Sequence, residues 1–440
     1  MQSYFYQLAD LMSQSLRGTE QCKCWFAAES TDFVRFNRSA IRQSGHVRQI
    51  SLSLDLIDRR RHCSASAALA GHIEADRATL LGLIATLRAQ LPDLPDDPYL
   101  LIATDVHSTE QVVPSRLPSA ASIVTQVLHA AAQVDLVGLL ACGPIYRGFA
   151  NSFGQRNWHE SATFNLDWSL YQSRDKAVKT SYAGTDWDAA VFAQKMQFAI
   201  SQLALLERAP MTVKPGAYRA YLTPTALHEV IGMFNWDGFS EKSLRTRQSA
   251  VRRMRDEGVR LHPGVTLSED TANGIAPGFQ AEGFIKPARV PLIEAGVLRG
   301  SMVSPRTAME YDVSSNGACS SETMQSIDLA AGTMPMQDAL TQLDTGIFVS
   351  NLWYLNFSDR ANCRITGMTR FATFWVEGGV IKAPLNVMRF DESLYRLLGD
   401  NLLALTAERE FLQDSSTYLE RATASAMLPG ALVKDFTFVL

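Results

Sequence analysis

The sequence predicts an α+β protein of two domains, an N-terminal mixed α/β layer domain over residues 1–208 and a C-terminal, predominantly antiparallel β domain with helices over residues 209–440. Three observations predict it. A chain of 440 residues exceeds what one hydrophobic core usually organises. Its first half alternates helical stripes with strand-like runs and closes on one long amphipathic stretch. Past Arg208-Ala209-Pro210 the pattern changes to short β runs cornered by glycine.

Taken in order, Phe5, Leu8, Leu11, Met12 and Leu16 form a helical stripe suited to packing on a sheet. Cys24-Trp25-Phe26, then Phe33-Val34-Arg35-Phe36, then residues 47–56 read as antiparallel strands separated by polar turns. Residues 64–89 return to a helical pattern. Pro92, Pro95 and Pro98, within and flanking Asp93 to Asp97, break it, and Leu100-Leu101-Ile102 restarts ordered structure. A helix over 123–132, strands over 137–140 and 162–168, and a long helix over 186–206 complete the first half. In the second half, residues 293–298 and 374–381 read as hairpins turning on Gly296 and on Gly378-Gly379.

Composition narrows the function. A net charge of -4 gives no global signature of nucleic-acid or anionic-membrane binding. The N-terminus lacks a basic region followed by an apolar one, and no apolar run approaches about 18 residues, so neither export nor membrane spanning is expected. Six cysteines scattered through a chain this long do not read as a disulfide framework, and a reducing cytoplasm fits best.

Phosphate-cradling, dinucleotide-binding and nucleophile-elbow motifs are absent from the sequence. Cys22-Lys23-Cys24 has the wrong spacing for a metal pair and reads as core packing. The basic residues Lys242, Arg245, Arg247, Arg252, Arg253 and Arg255 read as a solvated helix or loop ahead of a phosphate-binding strip. Asp58-Arg59-Arg60-Arg61-His62 reads as a wet turn between strands.

Leu227-His228-Glu229-Val230-Ile231-Gly232-Met233-Phe234 carries more chemistry. Thr223-Pro224-Thr225 before it suits a helix start. On such a helix His228 is a candidate metal ligand, and Glu229 a candidate catalytic base that would take a proton from a metal-bound water. A His-Glu pair arises by chance in about one chain in two or three of this size, so the dipeptide carries little weight by itself.

The pair has company. Val213-Lys214-Pro215-Gly216-Ala217-Tyr218 precedes it. Ala281-Glu282-Gly283-Phe284, Pro291-Leu292-Ile293-Glu294-Ala295-Gly296-Val297-Leu298-Arg299-Gly300, Ser314-Ser315-Asn316-Gly317-Ala318, Phe374-Trp375-Val376-Glu377-Gly378-Gly379-Val380-Ile381 and a closing stretch from Met427 to Phe438 follow. In this order the segments resemble the TldD/PmbA family, which includes zinc peptidases and their non-catalytic partner subunits of the PmbA (TldE) kind. The resemblance implies a two-domain α+β protein working as a dimer with itself or with a TldD-like subunit, around a peptide-binding chamber.

Catalytic members of the family read H-E-x-x-x-H and take a third ligand from a cysteine near the C-terminus. Here Met233 stands at the second histidine, and no cysteine follows Cys363. A five-residue step turns about 500° on a regular helix, so a shared metal would need a local distortion, for which Gly232 is the place. Thioether sulfur seldom binds zinc. The resemblance therefore implies a partner subunit in peptide proteolysis or maturation with a degenerate zinc motif, and no cofactor is expected for this chain alone, zinc being the metal the motif could take. Two alternatives stay open. One is an atypical metallopeptidase using His228 and Glu229 with Cys363 or Asp237 as substitute ligand. The other is a non-proteolytic binding protein that holds a peptide, or a nucleic-acid-linked partner, through the strip from Lys242 to Arg255.

Overall fold

The computed structural model describes residues 1–173 and 176–439. The first half runs α1 (Gln2–Gln14), β1 (Glu20–Asn37), β2 (Ala40–Asp58), β3 (Arg61–Ala68), α2 (Ile73–Gln90), β4 (Thr109–Val113), α3 (Ala120–Ala130), β5 (Asp135–Asn151), β6 (Arg156–Ser173), β7 (Lys176–Gly184) and α4 (Ala189–Leu205). Its strands form one sheet in the order β3-β2-β1-β5-β6-β4, and β7 pairs along β6 beyond the short parallel segment held by β4.

The pleat gives this sheet two unlike faces. On one, Cys22, Cys24 and Phe26 pack under α1 and α2, while Phe36, Leu140, Phe164 and Trp168 pack under α3 and α4. On the other, Glu29, Thr31, Arg147, His159, Thr163 and Asn165 are polar and nevertheless buried, because the second half of the chain covers them. Their polar atoms are satisfied across that junction. His159 Nε2 lies 3.1 Å from the Ile275 carbonyl, and Gln155 Nε2 donates to the Gly283 carbonyl at 2.7 Å.

The second half runs β8 (Gly216–Leu222), α5 (Pro224–Asn235), β9 (Leu267–Glu269), β10 (Val290–Glu294), β11 (Val297–Leu298), β12 (Ser326–Leu329), β13 (Gly346–Asp359), β14 (Arg364–Glu377), β15 (Val380–Pro384), β16 (Arg389–Ser393), β17 (Leu402–Gln413) and β18 (Ser425–Phe438) with short helical turns between. All eleven strands share one sheet. β8 pairs with both β13 and β18, so the pairings among β8, β13, β14, β16 and β18 close into a circuit. Alternation again separates the faces. Ala220, Leu222, Ile347, Val349, Ala431 and Val433 pack with α5, while Tyr221, Phe348, Phe374 and Leu432 pack in the cluster that holds α3 and α4. Each half owns a sheet, but that second core is built from both.

Most predicted elements are present, with differences that have physical causes. The α+β class holds, and both glycine-cornered hairpins form, with positive φ at Ala295 (47°) and Gly296 (76°) and at Gly378 (57°) and Gly379 (73°), the backbone that a tight two-residue turn demands. The two short strands expected around 24–26 and 33–36 are one strand, β1; Glu29 and Thr31, buried against the other half, interrupt its apolar pattern without interrupting its pairing with β2. The helix expected over 64–89 begins only at Ile73. Residues Ser64 to Ala68 instead finish β3, where pairing with β2 overrides the helical leaning of a Ser-Ala repeat. Leu100-Leu101-Ile102 belongs to no regular element. Among the described residues no helix is long and apolar enough to cross a membrane.

Candidate functional site

Helix α5 starts as its sequence dictates. Thr223 Oγ1 accepts from the Ala226 amide at 3.2 Å, its hydroxyl donates to the Ser350 carbonyl at 2.6 Å, and Pro224 occupies the first turn. Leu227, Val230, Ile231 and Phe234 are completely buried, so the helix is apolar around most of its circumference. The remaining stripe carries Thr225, His228, Glu229, Gly232 and Trp236 at helical spacing, with His228 half-buried and Glu229 exposed.

Charges from distant sequence act on that stripe. Asp414, just beyond β17, is the charge felt by His228, and Lys179 of β7 is the charge felt by Glu229. Lys179 is itself paired with Asp167 at 3.1 Å. Asn165, Asp167, Gln413, Asp414 and Arg421 line a small hollow beside Asp414. Arg421 is 3% exposed and fixes the hollow's floor, donating to the Gly143 carbonyl at 3.1 Å, the Thr163 carbonyl at 3.0 Å and Thr163 Oγ1 at 2.7 Å. Burial lowers its pKa to about 10, with Glu29 opposing the shift. Arg147, also buried, donates to the Arg421 carbonyl at 3.0 Å.

The two residues singled out by sequence respond to this enclosure in opposite senses. Burial lowers the pKa of His228 below the ordinary histidine value, with Asp414 opposing, so the neutral imidazole is favoured. Glu229 reaches solvent, yet the walls around it raise its carboxyl above the usual range, with Lys179 opposing. A neutral imidazole beside a carboxyl that takes up a proton readily can donate and accept hydrogen bonds along an extended peptide.

The metal-ligand set implied by the family resemblance does not assemble here. α5 is an unbroken α-helix from Pro224 to Asn235, and Gly232 introduces no distortion. Met233 therefore turns away from His228 into the core and is 5% exposed. Cys363 is fully buried in the same core, where burial pushes its thiol far up, next to Tyr395 and Arg360. Asp237 lies 3.7 Å from Arg360. Among the described residues no group of three or more His, Cys, Asp or Glu side chains is placed to hold a metal. A zinc ion does not fit this donor set.

Other sequence features also find their places. Cys22 and Cys24 are core residues whose thiols burial pushes up, Cys22 to about 12. Most of the basic strip is paired locally: Arg245 with Glu241, Arg252 with Asp256, Arg253 with Glu257, and Arg255 with Asp256. It offers no open row of guanidinium groups. Asp414, Lys179, Asp167 and Arg421 were not legible as site residues, since each sits in an unremarkable polar stretch. Only the tertiary fold brings Asp414 and Lys179 within reach of His228 and Glu229.

Residues 215–439, just over half of the chain, match the family model described as the PmbA/TldA metallopeptidase C-terminal domain. The chain belongs to the TldD/PmbA family. Solved structures of similar fold include TldE from Thermococcus kodakarensis, 14% identical with a TM-score of 0.78 over 99% of this chain and 100% of that one. A "putative modulator of a DNA gyrase" from Thermotoga maritima is 12% identical with a TM-score of 0.74 over 99% of both chains. A protein of like description from Bacteroides thetaiotaomicron is 13% identical with a TM-score of 0.74 over 99% of this chain and 98% of that one. At these identities the likeness is one of fold. No curated protein matches the chain in sequence.

Proposed function

We propose that this chain is a partner subunit of a TldD-type zinc peptidase complex, shaping a peptide-binding chamber while another chain supplies the metal. One observation carries the reading: a family helix that leaves His228 and Glu229 on its partly exposed stripe sends its next candidate ligand, Met233, into the apolar core. In that role the α5 stripe and the polar wall of Asn165, Asp167 and Asp414 offer hydrogen bonds to an extended peptide. The chain would act in the cytoplasm, as a dimer with a TldD-like subunit or with itself.

The test is reconstitution. Mixed with a family member carrying the complete H-E-x-x-x-H helix, this chain should co-purify with it, and the complex should hydrolyse an unfolded peptide that this chain alone leaves intact. Hydrolysis by this chain alone, abolished in Glu229→Ala, would overturn the proposal.

A second reading, an atypical metallopeptidase, draws on the opposed shifts of His228 and Glu229 and on the Asp414 charge acting on His228. A raised carboxyl is the trait of a general base. Metal-dependent activity that survives removal of every partner chain would favour it.

A further inference from the structure

On the second half, where β12 lies between β9 and β18, an open cavity of about 590 Å³ is walled by charge. Its centre is Asp328, 9% exposed, whose carboxylate accepts from two arginines: Arg289 Nη2 at 3.0 Å on one oxygen and Arg409 Nη1 at 2.6 Å on the other. Arg289 is steadied by Nε donating to Ser268 Oγ at 2.8 Å, and Arg409 by Nη1 donating to the Leu329 carbonyl at 3.1 Å. One carboxylate thus neutralises one of two guanidinium groups. Among the described residues, Arg289 Nη1 and Arg409 Nε and Nη2 make no hydrogen bond, and both heads are partly exposed.

Two further polar groups line the same cavity. Ser326 is 3% exposed, and its hydroxyl has no hydrogen-bond partner among the described residues. A buried hydroxyl without a partner is destabilising, so it is a place where a ligand can satisfy what folding left unmet. Among the described residues the carboxylate of Asp270, 6% exposed, accepts only from Asn273, through its amide at 3.3 Å and its Nδ2 at 2.9 Å. Phe411 and Met427 supply apolar wall.

We infer that this cavity binds a free α-carboxylate, gripped by the spare N–H groups of Arg289 and Arg409 and by the Ser326 hydroxyl. Guanidinium is the planar donor that suits a carboxylate. Asp270 accepts the nitrogen that follows, an ammonium in a free amino acid or an amide N–H in a peptide ending at this site. The ligand is a compact molecule that presents an acid and an N–H donor together, as the matched charges of the wall require. The inference needs neither a metal nor a partner chain, so it stands or falls separately from the partner-subunit proposal.

The full-length chain is titrated calorimetrically with L-alanine, tri-alanine and tri-alanine amide. Tri-alanine or alanine should bind, and the amide, which lacks the carboxylate, should bind at least about tenfold more weakly, the loss expected for a charge-assisted pair. The tighter of the first two ligands assigns the source as peptide end or free amino acid. Arg409→Gln should cost about tenfold or more. Because that change also loosens the Asp328 pair, Ser326→Ala, which leaves both arginines in place, is the second variant and should weaken binding several-fold with unchanged circular dichroism. Equal affinity for acid and amide, no heat from any ligand up to about 10 mM, or full affinity in a folded Ser326→Ala chain would each overturn the inference.

Discussion

Replacing Met233 with histidine restores, on paper, the H-E-x-x-x-H pattern of the catalytic relatives, and the structure says it will not restore a metal site. Five residues on a regular helix advance about 7.5 Å along the axis and turn about 500°, leaving the two side chains about 140° apart. Two imidazoles on one zinc must each reach within about 2.1 Å of it. Met233 is 5% exposed in a cluster with Phe234, Phe239 and Met254, so the new imidazole would sit among apolar side chains. Leaving its ring nitrogens unpaired there costs about 1–3 kcal/mol. The Met233→His chain should therefore have a lower urea midpoint than the parent and gain no zinc-dependent stability. The assay is chemical denaturation with and without excess zinc, with metal content measured after desalting. If Met233→His instead retains one zinc per chain and is stabilised by it, α5 is not the rigid helix described here and the argument fails.

Other expectations follow from the same contacts. Arg421→Ala strips donors from the Gly143 and Thr163 carbonyls beneath the cleft; it should cost about 2 kcal/mol or more and open residues 414–424 to proteolysis, and Arg421→Lys, with no forked head, should not rescue it. Phe374, fully buried in the core built from both halves, should cost about 3–5 kcal/mol as alanine, read as one shifted unfolding transition rather than loss of the second half alone. His159, fully buried, has its pKa lowered to about 4 chiefly by desolvation. The unfolded chain therefore takes up a proton below about pH 6.5 that the folded chain refuses until about pH 4, so stability is full above that window and falls as pH drops through it. His159→Gln should flatten the slope in urea titrations between pH 7.5 and 5.

Legibility of the fold tracked the range of the information. Elements specified by neighbours in sequence were readable: the Thr223-Pro224 start of α5, the Ala295-Gly296 and Gly378-Gly379 corners, the stripe of α1. Elements specified from afar were not. β1 reads as two strands because Glu29 and Thr31 are buried by the other half of the chain, and β3 reads as helix because its Ser-Ala alternation acquires meaning only beside β2. The site divided in the same way. His228 and Glu229 stood out because they are adjacent and belong to a family pattern, but the charges of Lys179 and Asp414 act on them only once the chain is folded. The burial of Met233, which decides how the motif is read, depends on the core that the second half packs around α5.

In the proposed role this chain keeps the family helix without holding the family's metal on its own. Elemental analysis of the pure chain, incubated with excess zinc and desalted, tests it most directly. No stoichiometric zinc should be retained, and His228→Ala should change nothing in the result; one zinc per chain, lost in His228→Ala, would contradict this reading.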